Sequence, residues 1–166
     1  MKTCTAETTA QSIEETQRLA AALAVLLTPG DVLCLYGQLG AGKTYFTKGL
    51  VAGLGGDGEA VTSPTFVLMQ IYREGRLPVY HFDAYRLHAA QDMLDIGSDE
   101  CLDGDGVSVI EWADRVAEAM PRTRIDVHLT PTGATERRIR LVGHGLHAAT
   151  IVAHLVRDGL AVAVEA

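Results

Sequence analysis

The stretch Val32–Thr44, VLCLYGQLGAGKT, joins a short apolar run to a glycine-rich loop that ends in Gly-Lys-Thr. Turn residues bound the run on both sides, Thr28-Pro29-Gly30-Asp31 before it and Gly37 after it, which predicts a buried strand over Val32–Tyr36. The loop Gly37-Gln38-Leu39-Gly40-Ala41-Gly42-Lys43-Thr44 satisfies Gly-x-x-x-x-Gly-Lys-Ser/Thr in full, and a helix is predicted from Lys43 to about Ala52. Strand, loop and helix in this order make an anion site. Glycines let the backbone bend until several N–H groups point inward at phosphate oxygens. The helix adds free N–H groups and the positive end of its dipole. Lys43 supplies a mobile cation for the outer phosphates, and Thr44 a hydroxyl for Mg²⁺. The expected nucleotide-binding residues are therefore Gly37, Gly40, Ala41, Gly42, Lys43, Thr44 and Tyr45, with ATP and Mg²⁺ as the ligands. The guanine-reading Asn-Lys-x-Asp is absent, which favours ATP over GTP.

Such a loop works with an acidic residue at the end of a second apolar strand. Two runs offer one. Val107–Ile110 leads into Glu111, and Leu77–Phe82 leads into Asp83, both where α/β sheets place ligands. Glu111 is assigned with Thr44 to the metal, directly or through water. Asp83 is assigned to positioning the attacking water or the hydration shell of the metal. The catalytic set is Lys43, Asp83 and Glu111.

Around this centre the chain reads as an α/β fold: one P-loop NTPase-like domain over residues 1–166, with a central mixed sheet, an antiparallel hairpin and helices on both faces. Residues 1–11 and 158–166 read as loose tails. Ser12 and Glu15 have capping-box spacing ahead of a helix over about 13–27. Thr65–Tyr72 and Leu77–Phe82 form the hairpin across Arg73-Glu74-Gly75-Arg76, with Tyr72, Tyr80 and Phe82 as its packing. Helical pieces are expected within 91–102, a short helix over 116–120, strands over 125–129 and 138–142, and a last helix over 146–157.

Composition bounds the function. With 166 residues the chain has a one-domain length. Hydrophobic residues at 48% and charged residues at 21% are ordinary for a globular fold. A net charge of −7 speaks against broad nucleic-acid binding, so no direct DNA binding is expected and any role near RNA would run through a protein partner. Cys4, Cys34 and Cys101 are far apart, with no Cys-x-x-Cys pair to suggest zinc or a disulfide framework. No signal core opens the chain and no run of about 20 apolar residues crosses a bilayer, so a cytoplasmic place without membrane contact is expected.

Four blocks, GQLGAGKT (37–44), SPTF (63–66), HFDAYRL (81–87) and IEW (110–112), stand in an order that resembles the TsaE family, also called YjeE. The resemblance reaches to about residue 143. It implies a small ATPase, slow alone, required for threonylcarbamoylation of adenosine next to the anticodon in tRNA. It further implies action on a complex of two proteins, TsaB and TsaD, which ATP resets between rounds without being the source of the transferred group. Lys43, Thr44, Asp83, Glu111 and Trp112 match the functional positions of the family. Gln38 and Ala113 depart from its commoner residues, and the tail from Gly143 onward lies outside the match.

Several residues keep two readings. Ser63, Pro64 and Thr65 are either a sensor of the terminal phosphate or a turn entering a strand. Trp112 is either a nucleotide or partner contact or a core aromatic. Arg86 and Arg138 are either phosphate or partner contacts or surface arginines. His144 and His147 have the spacing of a metal pair, but a solvated pair is expected because no acidic helix motif lies between them. On residues alone, a small-molecule kinase and a nucleotide-dependent binding module remain alternatives to the ATPase.

Overall fold

In the computed structural model, which describes residues 1–165, the elements run β1 (Thr3–Ala10), α1 (Ile13–Ala24), β2 (Val32–Tyr36), α2 (Lys43–Gly53), β3 (Met69–Tyr72), β4 (Val79–Asp83), α3 (Ala90–Asp95), α4 (Ser98–Leu102), β5 (Val107–Glu111), β6 (Arg124–Pro131), β7 (Arg137–His144), α5 (Leu146–Arg157) and β8 (Val162–Ala163). The strands make one eight-stranded sheet in the order β3-β4-β5-β2-β6-β7-β1-β8. Its centre is parallel: β2 lies between β5 and β6, and β4 runs parallel to β5. The flanks are antiparallel, β3 against β4 on one side and β6, β7, β1 and β8 on the other.

Side-chain alternation explains why the central strands read as continuous apolar runs. Leu33 and Leu35 face one core with Val107, Val109, Ile125 and Val127, while Val32 and Cys34 face the other with Phe82 and Ile110. Helices α1, α2 and α5 cover the first face, through residues such as Leu23, Phe46 and Leu155. Met93 of α3 and Val116, in a 3-10 turn at Ala113–Ala119, cover the second. The mixed sheet with helices on both faces is the architecture expected from the sequence.

Helix α1 begins as predicted. Ser12 Oγ accepts the Glu15 N–H at 3.2 Å, and Glu15 Oε2 accepts the Gln11 N–H. It ends at Ala24 rather than 27. The Leu26 and Leu27 N–H groups bond back three residues, and the Arg76 guanidinium takes the Ala24 and Leu27 carbonyls. Helices α1 and α2 approach closely through small residues: a Cβ on Gly49 would stand 2.3 Å from the Gln17 carbonyl oxygen.

Four expectations are corrected. Residues 1–11 are not a loose tail, because Thr3–Ala10 pairs along its whole length with β7, from Thr3 opposite His144 to Ala10 opposite Arg137. Its core face is built from Ala6 and Ala10, too small to give a strong apolar signal, while β-branched threonine supplies the strand preference. The segment 158–166 is not wholly loose either, since Val162–Ala163 adds a short edge strand to β1; Ala166 lies outside the described residues. The hairpin strand begins at Met69, not Thr65: the Pro64 carbonyl accepts the Leu68 N–H at 2.7 Å, and Leu68 takes a left-handed φ of 67°, turning the chain. Its partner runs Val79–Asp83, so Asp83 is the last residue of β4, not a position beyond it. Among the described residues no helix is long and apolar enough to cross a membrane.

Candidate functional site

The carboxyl ends of β2, β4 and β5 meet at one place, and that place is a cleft of about 360 Å³. Leu39–Tyr45, Ser63, Thr65, Asp83, Tyr85, Glu111 and Trp112 line it. Gly37 stands behind this wall rather than in it. A Cβ there would meet Ala41 Cβ at 2.7 Å and the Leu129 carbonyl at 2.8 Å, so only glycine lets the chain leave β2 at this angle. Gly42 caps α2 at a φ of 105°, and the helix then opens with Lys43.

The Lys43 ammonium folds back on its own loop. It donates to the Gly37 carbonyl at 2.5 Å and the Gln38 carbonyl at 3.0 Å, and lies 4.2 Å from the centre of the Trp112 ring. Burial lowers its pKa below the ordinary 10.5, against the opposing pull of Glu111, Asp83 and Asp114. An anion placed over the loop would offer this cation better partners than two neutral carbonyls.

Asp83 and Glu111 are register partners on adjacent parallel strands, so their side chains leave the sheet on the same face. Both are almost fully buried. Asp83 Oδ2 accepts hydrogen bonds from Thr65 Oγ1 at 2.8 Å and Ser63 Oγ at 3.1 Å, and its Oδ1 accepts the Tyr85 N–H at 2.8 Å. Glu111 Oε1 accepts from Thr44 Oγ1 at 3.4 Å and from His81 Nε2 at 3.1 Å. The hydroxyl of Thr44 and the carboxylates of Glu111 and Asp83 form a set of hard oxygen donors at the mouth of an anion cradle. That chemistry fits Mg²⁺ held jointly with phosphate oxygens, a metal that retains waters and takes few protein ligands.

Backbone strain brackets the cleft. Trp112 sits at a φ of 58°, which turns the chain sharply after Glu111, and Leu68 holds its left-handed turn after Ser63–Thr65. The Trp112 ring is tilted against Tyr85 at 5.0 Å and lines the cleft while packing on the second core.

The expected residues Lys43, Thr44, Tyr45, Asp83 and Glu111 thus come together, with Ser63, Thr65 and Trp112. The arginines do not. Arg86 lies over the Phe66 ring at 4.8 Å, and Arg138 faces a groove on the far side of the antiparallel strands with Glu7, His128 and His144. His144 and His147 turn to different carboxylates, Asp126 at 2.7 Å and Asp31 at 3.0 Å, so they form no metal pair. Tyr80 and Phe82 pack in the second core as expected of hairpin residues, and the Tyr80 hydroxyl donates to Asp105.

Two site residues escaped the sequence. His81 is fully buried beside Glu111; its signal was its place two residues before Asp83, on the same strand face. Arg137 donates to the phosphate-loop carbonyls of Ala41 at 2.8 Å and Gly40 at 3.1 Å, a long-range contact with no local signal.

The parallel strand–loop–helix unit, with acidic residues closing the neighbouring strands, defines a P-loop NTPase-like fold. The family model described as threonylcarbamoyl adenosine biosynthesis protein TsaE matches residues 10–139. The chain is 45% identical over 129 residues to the tRNA threonylcarbamoyladenosine biosynthesis protein TsaE of Treponema pallidum, covering 78% of this chain and 94% of that protein. It is 43% identical over 132 residues to the protein of the same description from Bacillus subtilis, covering 80% and 82%. The crystal structure of YdiB from Bacillus subtilis superposes with a TM-score of 0.80 at 34% identity, over 96% of this chain and 99% of that one. The chain belongs to the TsaE family.

Proposed function

We propose that this chain is a Mg²⁺-dependent ATPase that serves threonylcarbamoylation of adenosine next to the anticodon in tRNA. It acts on a TsaB–TsaD-type protein complex and not on tRNA directly. The observation that carries the reading is the convergence of Lys43, Thr44, Asp83 and Glu111 on one cleft, in a chain whose relatives are named for that modification.

The phosphates of ATP lie against the amides of Gly40 and Gly42–Thr44, the Ala41 N–H being bonded to the Gln38 carbonyl at 3.0 Å. Lys43 leaves the Gly37 and Gln38 carbonyls for the outer phosphates. Thr44 and Glu111 would hold Mg²⁺, which would supply neutralising charge for the phosphate oxygens. Asp83 orients a water in line with the γ-phosphorus and can receive its proton. Attack forms a bond from the water oxygen to phosphorus and breaks the bond to the bridging oxygen, releasing ADP and inorganic phosphate. Ser63 and Thr65, bonded to Asp83, are placed to exchange that carboxylate for γ-phosphate oxygens, and the segment 63–68 would reset when phosphate leaves.

The test is genetic and chemical. Deleting the gene removes threonylcarbamoyladenosine from bulk tRNA measured by mass spectrometry. Wild-type protein restores it and Lys43→Ala does not. Normal levels of the nucleoside in the deletion strain would end the proposal.

A further inference from the structure

We infer that Arg137 is a positioning residue that clamps the phosphate loop from outside and aims the Gly42 amide at the phosphates. The inference deepens the nucleotide-binding reading and rests on it. Arg137 opens β7, behind the loop and outside the cleft lining, and its guanidinium is spent on backbone carbonyls. Nε donates to Ala41 at 2.8 Å and Nη2 to Gly40 at 3.1 Å. Nη1 donates to Gly133 at 3.0 Å and Glu136 at 2.9 Å, in the turn between β6 and β7. That turn is itself braced, since the Thr132 N–H and hydroxyl bond to Glu136, and Thr135 Oγ1 reaches the Gln11 carbonyl ahead of α1. One side chain thus ties the phosphate loop to a rigid turn.

The geometry of a trans peptide gives the tie its consequence. A carbonyl and the N–H that follows it point in opposite directions. Holding the Ala41 carbonyl outward therefore turns the Gly42 N–H inward, at the residue that carries the φ of 105°. Gly42 has no side chain of its own to hold this conformation, and a Cβ there would stand 3.6 Å from Arg137 Nε. The planar fork of arginine suits several carbonyls at fixed angles, which a lysine ammonium cannot match. Among the described residues no carboxylate lies within ion-pair distance of Arg137, so its charge also adds to the positive field under the loop. Arg138, one residue on, points to the opposite face of the sheet and does none of this.

The experiment uses the full chain and its single tryptophan, Trp112, as the reporter of MgATP binding, with Arg137→Ala, Arg137→Lys and Arg138→Ala compared with wild type. Arg137→Ala should weaken MgATP binding at least tenfold while circular dichroism and the nucleotide-free melting midpoint stay near wild type. Arg137→Lys should fail to restore binding, millimolar guanidinium should partly restore it in Arg137→Ala only, and Arg138→Ala should bind normally. If Arg137→Ala does not fold, Arg137→Gln carries the same comparison. Normal affinity in the folded Arg137 variants overturns the inference, and so does an equal loss in Arg138→Ala. A wild-type chain that binds no MgATP would instead count against the nucleotide reading itself.

Discussion

His81 Nε2 lies 3.1 Å from Glu111 Oε1, with both side chains sealed from solvent. A carboxylate can only accept, so the imidazole donates from Nε2, and its Nδ1 is buried without a partner. The contact fixes the rotamer of Glu111 from below while Thr44 meets the same oxygen from the loop. His81→Leu removes a donor from a buried carboxylate and should cost about 1–3 kcal/mol of stability. It should lower MgATP hydrolysis about tenfold or more, the scale for loss of a partner that orients a metal ligand. His81→Gln, which can still donate, should recover part of both. Melting midpoints and steady-state rates of the two variants check this, and a Leu variant as active and stable as wild type would exclude the role.

Asp83 already gathers two hydroxyls and an amide, so its carboxylate is oriented before any substrate arrives. Asp83→Asn keeps the shape and removes the proton acceptor. Hydrolysis should fall by about 10²–10⁴ with MgATP affinity within a few-fold of wild type. A rise in Kd that accounts for the whole loss would move Asp83 from the chemistry to ground-state binding.

Lys43 gives a pH dependence with a definite sign. Burial lowers its pKa below 10.5 in the free protein, and a bound polyphosphate favours the ammonium form and raises it. Between the two values binding must take up a proton. MgATP affinity should therefore weaken as pH climbs from the lowered pKa of the free protein towards the raised pKa of the complex. In that window the binding enthalpy should vary with the ionisation heat of the buffer. Lys43→Arg, which stays charged, should flatten the alkaline fall in whatever affinity it retains.

The close approach of α1 and α2 tests the fold that carries the loop. In Gly49→Ala the new methyl would meet the Gln17 backbone at 2.3–2.8 Å, and backbone yields less readily than a side chain. Overpacking of this kind costs about 1–3 kcal/mol. Thermal melts should show the loss. Because α2 starts at Lys43, a weaker MgATP affinity should accompany it.

The site was legible because its chemistry is local in sequence. Gly37–Thr44 is contiguous, and Asp83 and Glu111 each end an apolar run, so strand-end logic found all of them before their pairing in register was visible. What escaped was non-local or weakly apolar. Strand β1 hides because Ala6 and Ala10 carry its buried face, and only pairing with β7 makes it a strand. Arg137 and Arg138 look alike in sequence, and strand alternation sends one to the phosphate loop and the other to the far face. Thr65 reads as a strand former, yet its hydroxyl bonds Asp83 and the chain turns at Leu68 before pairing begins.

The most direct test of the central claim is calorimetric titration of the purified chain with ATP, with and without Mg²⁺, in wild type and Lys43→Ala. Saturable binding at one site per chain, strengthened by Mg²⁺ and weakened at least a hundredfold by the substitution, is the predicted result. A wild-type chain with no heat of binding, or a Lys43→Ala chain that binds MgATP as tightly as wild type, would contradict it.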